Sequence, residues 1–201
     1  MSVNTTGTRN SGVGVSALGL NTTGNYNTSM GFDTLGANTT ASANTAIGYS
    51  AMGANTTGAL NVAVGYSALG ANTTAANNTA VGYASLGANT TGANNTAVGY
   101  NALNLCTVGH SNVAVGTNCG DNITEASFST LLGMNIDTGD ATTDNCNALG
   151  YAISAVSGYT TIGLDTADIR AQHGVATWAT VSDERVKKDI EDSTVGLSFI
   201  N

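Results

Sequence analysis

Proline is absent from the 201 residues, and charged side chains make up only 9% of them and aromatic ones 5%. Disordered segments carry high net charge and few β-branched residues, whereas this chain is rich in Val, Ile and Thr; the composition predicts a repetitive β structure. Lys and Arg number 5 against 13 acidic residues, and between Asn10 and Phe128 only Asp33, Asp121 and Glu125 are charged. Neutralising phosphates requires clustered cations, so no nucleic-acid partner is expected. Cysteine is scarce as well. Cys106, Cys119 and Cys146 share neither a metal-ligand nor a disulfide-framework spacing, which reads as buried free thiols. Met1 to Asn10 lacks the apolar stretch of a signal peptide, and nowhere do 18 apolar residues run together, so neither a leader nor membrane insertion is expected.

What the chain has is a repeat. Aligned on N-T-A-V-G-Y, units begin at Asn10, Asn27, Asn44, Asn61, Asn78, Asn95 and Asn112, at a constant interval of seventeen. The register persists in degraded form at Ser129 and Cys146, and a final unit begins 13 residues later at Tyr159. Position five is always glycine, from Gly14 to Gly163, which marks a recurrent bend or close chain approach. Position four is always apolar (Val13, Met30, Ile47, Val64, Val81, Val98, Val115, Leu132, Leu149, Ile162) and reads as a stacked inward column. Position nine gives a second column, Leu18, Leu35, Met52, Leu69, Leu86 and Leu103, that ends at Gly120, where a change of cross-section is expected.

A unit of this length is too short for a helix pair, and no apolar stripe of helical period runs through it. The expected fold is all-β: a parallel β-solenoid (β-roll or β-helix) of about ten coils, roughly 50 Å long at the usual strand spacing. Two short strands per coil are expected, one at N-T-A-V-G and one near L-G-A-N-T-T, with shaft 1–164, connector 165–181 and a distinct segment 182–201. Such a narrow coil buries little apolar area, and self-association is the remedy. The small residues at position three (Ala46, Ala63, Ala80, Ala97, Ala114) alternate with position four and are expected to face outward, where a neighbouring chain could approach.

Several patterns invite a chemical reading. Gly12-Val-Gly14-Val-Ser-Ala17 approximates a dinucleotide-binding turn, yet Gly14 recurs in every unit and no helix pattern follows, so a ladder of turns is the better reading. His110 and His173 are single histidines outside any His-x-His pair, and no recurrent Asp lies between glycines, so no metal and no calcium are expected. No cofactor is implied either. The aromatic column Phe32, Tyr49, Tyr66, Tyr83 and Tyr100 could stack sugars or pack at a corner of the coil, and Tyr49, Tyr66, Tyr83 and Tyr100 are the candidate glycan-binding residues. Asn-Thr-Thr at Asn21, Asn38, Asn55, Asn72 and Asn89 matches an N-glycosylation pattern but also stacks at one position, and an asparagine hydrogen-bond ladder is preferred.

The units from Asn44 to Asn94 resemble the head repeats of trimeric autotransporter adhesins and related repeats in phage tail fibres, a likeness that covers about four fifths of the chain. The resemblance implies a homotrimer of parallel β-rolls, although adhesin head repeats are commonly shorter than the units here. A sharper resemblance lies in Val181-Ser-Asp-Glu-Arg-Val-Lys-Lys-Asp-Ile190, continuing to Gly196-Leu-Ser-Phe-Ile-Asn201, which looks like the opening of the endosialidase-type intramolecular chaperone domain of phage fibres and spikes. That domain trimerises the fibre and then cuts itself off. The resemblance assigns the cleavage to Ser182 and Asp183. Only the domain's opening is present, so no self-cleavage is expected of this chain and no other enzymatic activity is implied. From the residues alone, Ser182 is a good N-cap, and Glu184 with Lys188, Arg185 with Asp189, and Lys187 with Glu191 form i,i+4 pairs, which predicts a short C-terminal helix.

Together these features predict a structural fibre protein of a phage virion, assembled in the host cytoplasm and acting outside the cell in host attachment. The expected partners are itself, a host cell-surface glycan or protein, and another virion protein docked on the N-terminal coil, because Asn4-Thr-Thr-Gly7 already matches the repeat and an uncapped coil exposes strand edges. The alternatives are a bacterial surface adhesin and, from the threonine content, an ice-binding solenoid.

Overall fold

A computed structural model describes residues 3–165, 167–174 and 178–180. Ten parallel strands form one in-register sheet and are linked by about nine turns of a solenoid. They are β1 (Ser11–Val13), β2 (Thr28–Met30), β3 (Thr45–Ile47), β4 (Val62–Val64), β5 (Thr79–Val81), β6 (Thr96–Val98), β7 (Val113–Val115), β8 (Thr130–Met134), β10 (Asn147–Tyr151) and β12 (Tyr159–Leu164). Short strands β9 (Asp137–Thr138) and β11 (Ser154–Ala155) pair as a second sheet late in the shaft. Within the connector, β13 (Ala167–Gln172) and β14 (Trp178–Thr180) turn back antiparallel on the end of the long sheet. No helix occurs among the described residues, and the helix expected over 182–201 lies outside them.

The pairing register is the sequence repeat made physical. Thr45 pairs with Val62 and Ala46 with Ala63, each one full repeat on, and the shortened unit keeps register because Asn147 pairs with Thr160. The first seven coils have one three-residue strand each, where two were expected. The L-G-A-N-T-T segment is a series of turns because the residues at its start take the left-handed conformation: Ser67 and Leu69 lie at φ 51 and 51, and the pattern recurs through the first seven coils. Each such non-glycine residue costs about 1–2 kcal/mol. The cost is offset at position nine by burial of the whole Leu side chain, about 1.5–3 kcal/mol, and by coil-to-coil hydrogen bonds such as Leu69 N–H to Ser85 O at 3.0 Å.

The interior corrects one expectation. Position three faces inward: Ala46, Ala63, Ala80, Ala97 and Ala114 are wholly buried, whereas Val13 is 60% and Met30 50% exposed at position four. Positions three and four face opposite ways, as expected, but in the reverse sense. The coil is too narrow for both a β-branched column and the position-nine leucines, so the strand turns its smallest residue inward. The outward small-residue face on which close approach of a neighbouring chain was expected therefore does not exist.

The glycine column sets how closely successive coils stack. Gly48, Gly65, Gly82 and Gly99 lie at φ 134, 139, 134 and 142, and a Cβ on each would fall well inside van der Waals contact of the next coil's glycine carbonyl oxygen. Gly14 belongs to this ladder of bends, in keeping with the turn reading of its motif. The position-nine column ends at Gly120, where Leu103, Leu131 and Ile123 fill the vacated space, each with a methyl group within 3.3 Å of where a Cβ would stand. Leu131 occupies the inward position held by alanine in the five preceding coils, so the cross-section does change there.

Exchange of glycine and alanine should have opposite signs at two positions. Gly65→Ala is expected to destabilise by about 3 kcal/mol or more, because a Cβ cannot be accommodated beside Gly82. Ala43→Gly, at exposed φ 58, should stabilise by about 1 kcal/mol. Denaturant midpoints of the two variants check both.

Candidate functional site

Three features of the shaft could act on another molecule, and all rest on two buried asparagine ladders that keep the coils in line. In the first, Asn38 Nδ2 donates to Asn21 Oδ1 at 2.8 Å, Asn55 to Asn38 at 3.2 Å, Asn72 to Asn55 at 2.9 Å and Asn89 to Asn72 at 3.0 Å. The same amide nitrogens reach a carbonyl three residues on, as Asn55 does to Gly58 O at 2.9 Å. These side chains are wholly buried, so the glycosylation reading of Asn-Thr-Thr falls and the ladder stands. The first Thr of each triplet seals the outer edge, as in Thr56 Oγ1 to Thr73 O at 3.0 Å. The second ladder uses position one: Asn61 N–H donates to Asn44 Oδ1 at 2.9 Å, and Asn61 Nδ2 to Ala75 O at 2.9 Å. The N-T-A-V-G-Y motif contained this second ladder, but its first residue was read only as a marker of register.

The first feature is the outward strand face. The aliphatic column Val13, Met30, Ile47, Val115, Leu132 and Leu149 is exposed along it, with Thr28 and Val62 among the exposed position-two residues beside it. Toward the far end this face dips into a shallow groove lined by Leu132, Leu149 and Ile162. Inverting the strand's parity would have found it from sequence.

The second is the aromatic column. Phe32, Tyr49, Tyr66, Tyr83 and Tyr100 stack at centroid spacings of 5.2, 5.1, 5.0 and 5.1 Å, with interplanar angles of 9°, 7°, 8° and 13°. The rings are about half exposed, from 47% at Tyr83 to 51% at Tyr100. The structure thus brings all four candidate glycan residues into one row. Their faces are turned to each other, and their edges and hydroxyls outward.

The third is an acidic pair at the change of cross-section, which periodicity gave no means to find. Asp137 lies beside Asp121, and its carboxyl is pushed up to about 6 by burial first and then by the neighbouring carboxyl. Its Oδ1 has no partner among the described residues.

The remaining candidates stay apart. Cys106, Cys119 and Cys146 are buried and free, as expected, and burial pushes their thiols up to about 11, 12 and 11. His110 packs edge-on against Phe128 at 4.8 Å, while His173 Nε2 lies 3.2 Å from both Asn147 Nδ2 and Thr160 Oγ1. Among the described residues no three His, Cys, Asp or Glu side chains gather as a metal site would require. Ser182 and Asp183 lie outside the described residues.

Two outcomes follow from the ladder and the acidic pair. The first ladder is interrupted at Cys106, leaving Asn89 Oδ1 buried without a partner among the described residues. Asn72→Leu, in mid-ladder, should therefore cost about 3 kcal/mol and Asn89→Leu about 1–2 kcal/mol less, read from denaturant midpoints, because the end residue's removal also removes an unpaired oxygen. Asp137 binds its proton more tightly folded than unfolded, so its contribution favours the fold below the ordinary carboxyl range and is lost as pH rises through about 6. Relative to wild type, Asp137→Asn should gain thermal stability as pH rises from 4 to 7.

No protein family, no curated protein and no solved structure matches the chain.

Proposed function

We propose that the chain is the shaft of a virion attachment fibre, assembled as a homotrimer whose protomers meet through the outward strand face, with the segment from Val181 opening a trimerisation chaperone. The observation that carries the reading is the aliphatic column of that face, which runs from Val13 to Leu149 along the whole solenoid. Monomeric proteins rarely leave contiguous apolar patches larger than about 300–600 Å². A second copy of this chain is the natural cover, because its own column repeats at the same coil spacing and can stay in contact over every coil. Close packing of coil on coil favours a stiff rod, and a rod suits a molecule that must hold a contact away from a particle. The chaperone-like Val181 to Ile190, with Ser182 and Asp183 as its cleavage junction, favours a phage fibre over a bacterial adhesin.

The ice-binding alternative has one observation in its favour, the threonines Thr28, Thr45, Thr79 and Thr96 at position two of the flat face. Their column is broken by Val62 and Val113, and the row beside it is aliphatic. Thermal hysteresis of the purified protein would revive it.

Native mass spectrometry of the full chain tests the fibre reading. A trimer is expected, and Val81→Lys with Val98→Lys should yield a monomer with unchanged far-ultraviolet circular dichroism. A wild-type monomer, or a trimer indifferent to both lysines, would overturn it. In a product extended through the complete chaperone domain, Ser182→Ala should abolish cleavage; cleavage unaffected by that change would sink the chaperone assignment.

A further inference from the structure

We propose that the tyrosine ridge is a binding track for a neutral, extended β-1,4-linked polysaccharide lying along the solenoid axis, with one sugar per coil. The inference rests on the attachment-fibre reading and names the class of ligand such a fibre would take. Tyr49, Tyr66, Tyr83 and Tyr100 hold one repeat position at spacings of 5.1, 5.0 and 5.1 Å. Each ring covers the face of the next, so stacking of sugars on ring faces is not what the ridge offers. It presents a straight row of phenolic hydroxyls, each able to donate and accept. The hydroxyl of Tyr26 takes a hydrogen bond from Arg9, but these four have no protein partner among the described residues. The residues that follow them are Ser50, Ser67, Ala84 and Asn101, whose short side chains leave the ring tips proud.

Hydroxyls repeated at constant spacing along a line are complementary to a ligand that repeats along a line. A β-1,4-linked hexopyranose chain is extended, advances by about one ring length per sugar, and has hydroxyls along its edges. A compact sugar or a globular partner would meet one or two rungs and leave the rest unused. Charge decides between neutral and acidic chains. No Lys or Arg occurs between Asn10 and Phe128, and the net charge is −8, so a uronate, sialate or sulfate would find no cation here and would be repelled.

Isothermal titration of the full chain with cellohexaose, chitohexaose, cellobiose and a heparin hexasaccharide tests the proposal. At least one neutral hexasaccharide should bind, at least about tenfold more tightly than the disaccharide. Tyr66→Phe with Tyr83→Phe should weaken that binding at least about tenfold while leaving oligomeric state and melting temperature unchanged, since Phe32 already occupies the stack. Absence of binding by both neutral hexasaccharides, affinity unchanged by the double replacement, or tighter binding of the heparin fragment would overturn it. A trimer that ignores both neutral sugars sinks the track and leaves the fibre reading standing; a monomer that binds them does the reverse.

Discussion

At the glycine column the backbone of one coil lies so close to the carbonyl of the next that no side chain could be inserted, and the rest of the solenoid is shaped by that approach. Gly65 faces Gly82 and Gly82 faces Gly99 in this way, with φ between 134 and 142. Within the coils so stacked, the position-nine leucines fill the interior, so the strand beside them turns only a small residue inward and the apolar bulk of position four goes outside; where Gly120 removes the leucine, Leu131 enters. The position-nine leucines themselves stand in left-handed turns, a conformation offset by their complete burial and by coil-to-coil hydrogen bonds.

An interior of alanine and one leucine per coil is thin, and the two asparagine ladders supply what it lacks. Each amide joins its coil to a neighbour by hydrogen bonds in the buried interior, where leaving them unmade costs far more than making them gains. The chain then changes strategy. Asn89 is followed at its position by Cys106 and Ile123, and Asn112 by Ser129 and Cys146, while alanine gives way to Leu131 and, at position eight, small residues ending in Cys119 give way to Ile136 and Ile153. Amide ladders yield to aliphatic packing where Gly120 removes the leucine. The acidic pair of Asp121 and Asp137 sits at this junction, where the uniform register ends. At the far end, buried Thr161 and the ion pair of Asp168 with Arg170 at 3.0 Å put polar groups on β12 and β13, and β13 turns antiparallel so that no further parallel coil follows it directly.

For function, the consequence is a set of straight surfaces with one period. Whatever stands at a given repeat position forms a row along the axis: aliphatic at position four, aromatic at position six, threonine or valine at position two. Such a molecule recognises partners by commensurate spacing rather than by a pocket. Both proposals for it, copies of itself on the aliphatic face and an extended glycan on the tyrosine row, are of that kind.

Much of this was legible in the residues. The constant repeat register, the glycine approach, the buried leucine column and its end at Gly120, and the Asn21 to Asn89 ladder all follow from identical residues recurring at identical offsets, because in a stack of coils a constant offset is a constant place in space. Strand alternation also revealed that positions three and four face opposite ways. Which way is inward was decided only by tertiary structure, since periodicity carries no sign and the hydrophobic effect alone favours burying valine over alanine. The room left inside the coil by the position-nine leucines reversed that preference. Likewise the tyrosine repeat showed a column, but only the folded backbone, bringing the rings within 5.2 Å, determined that they cover one another's faces and turn their hydroxyls to solvent.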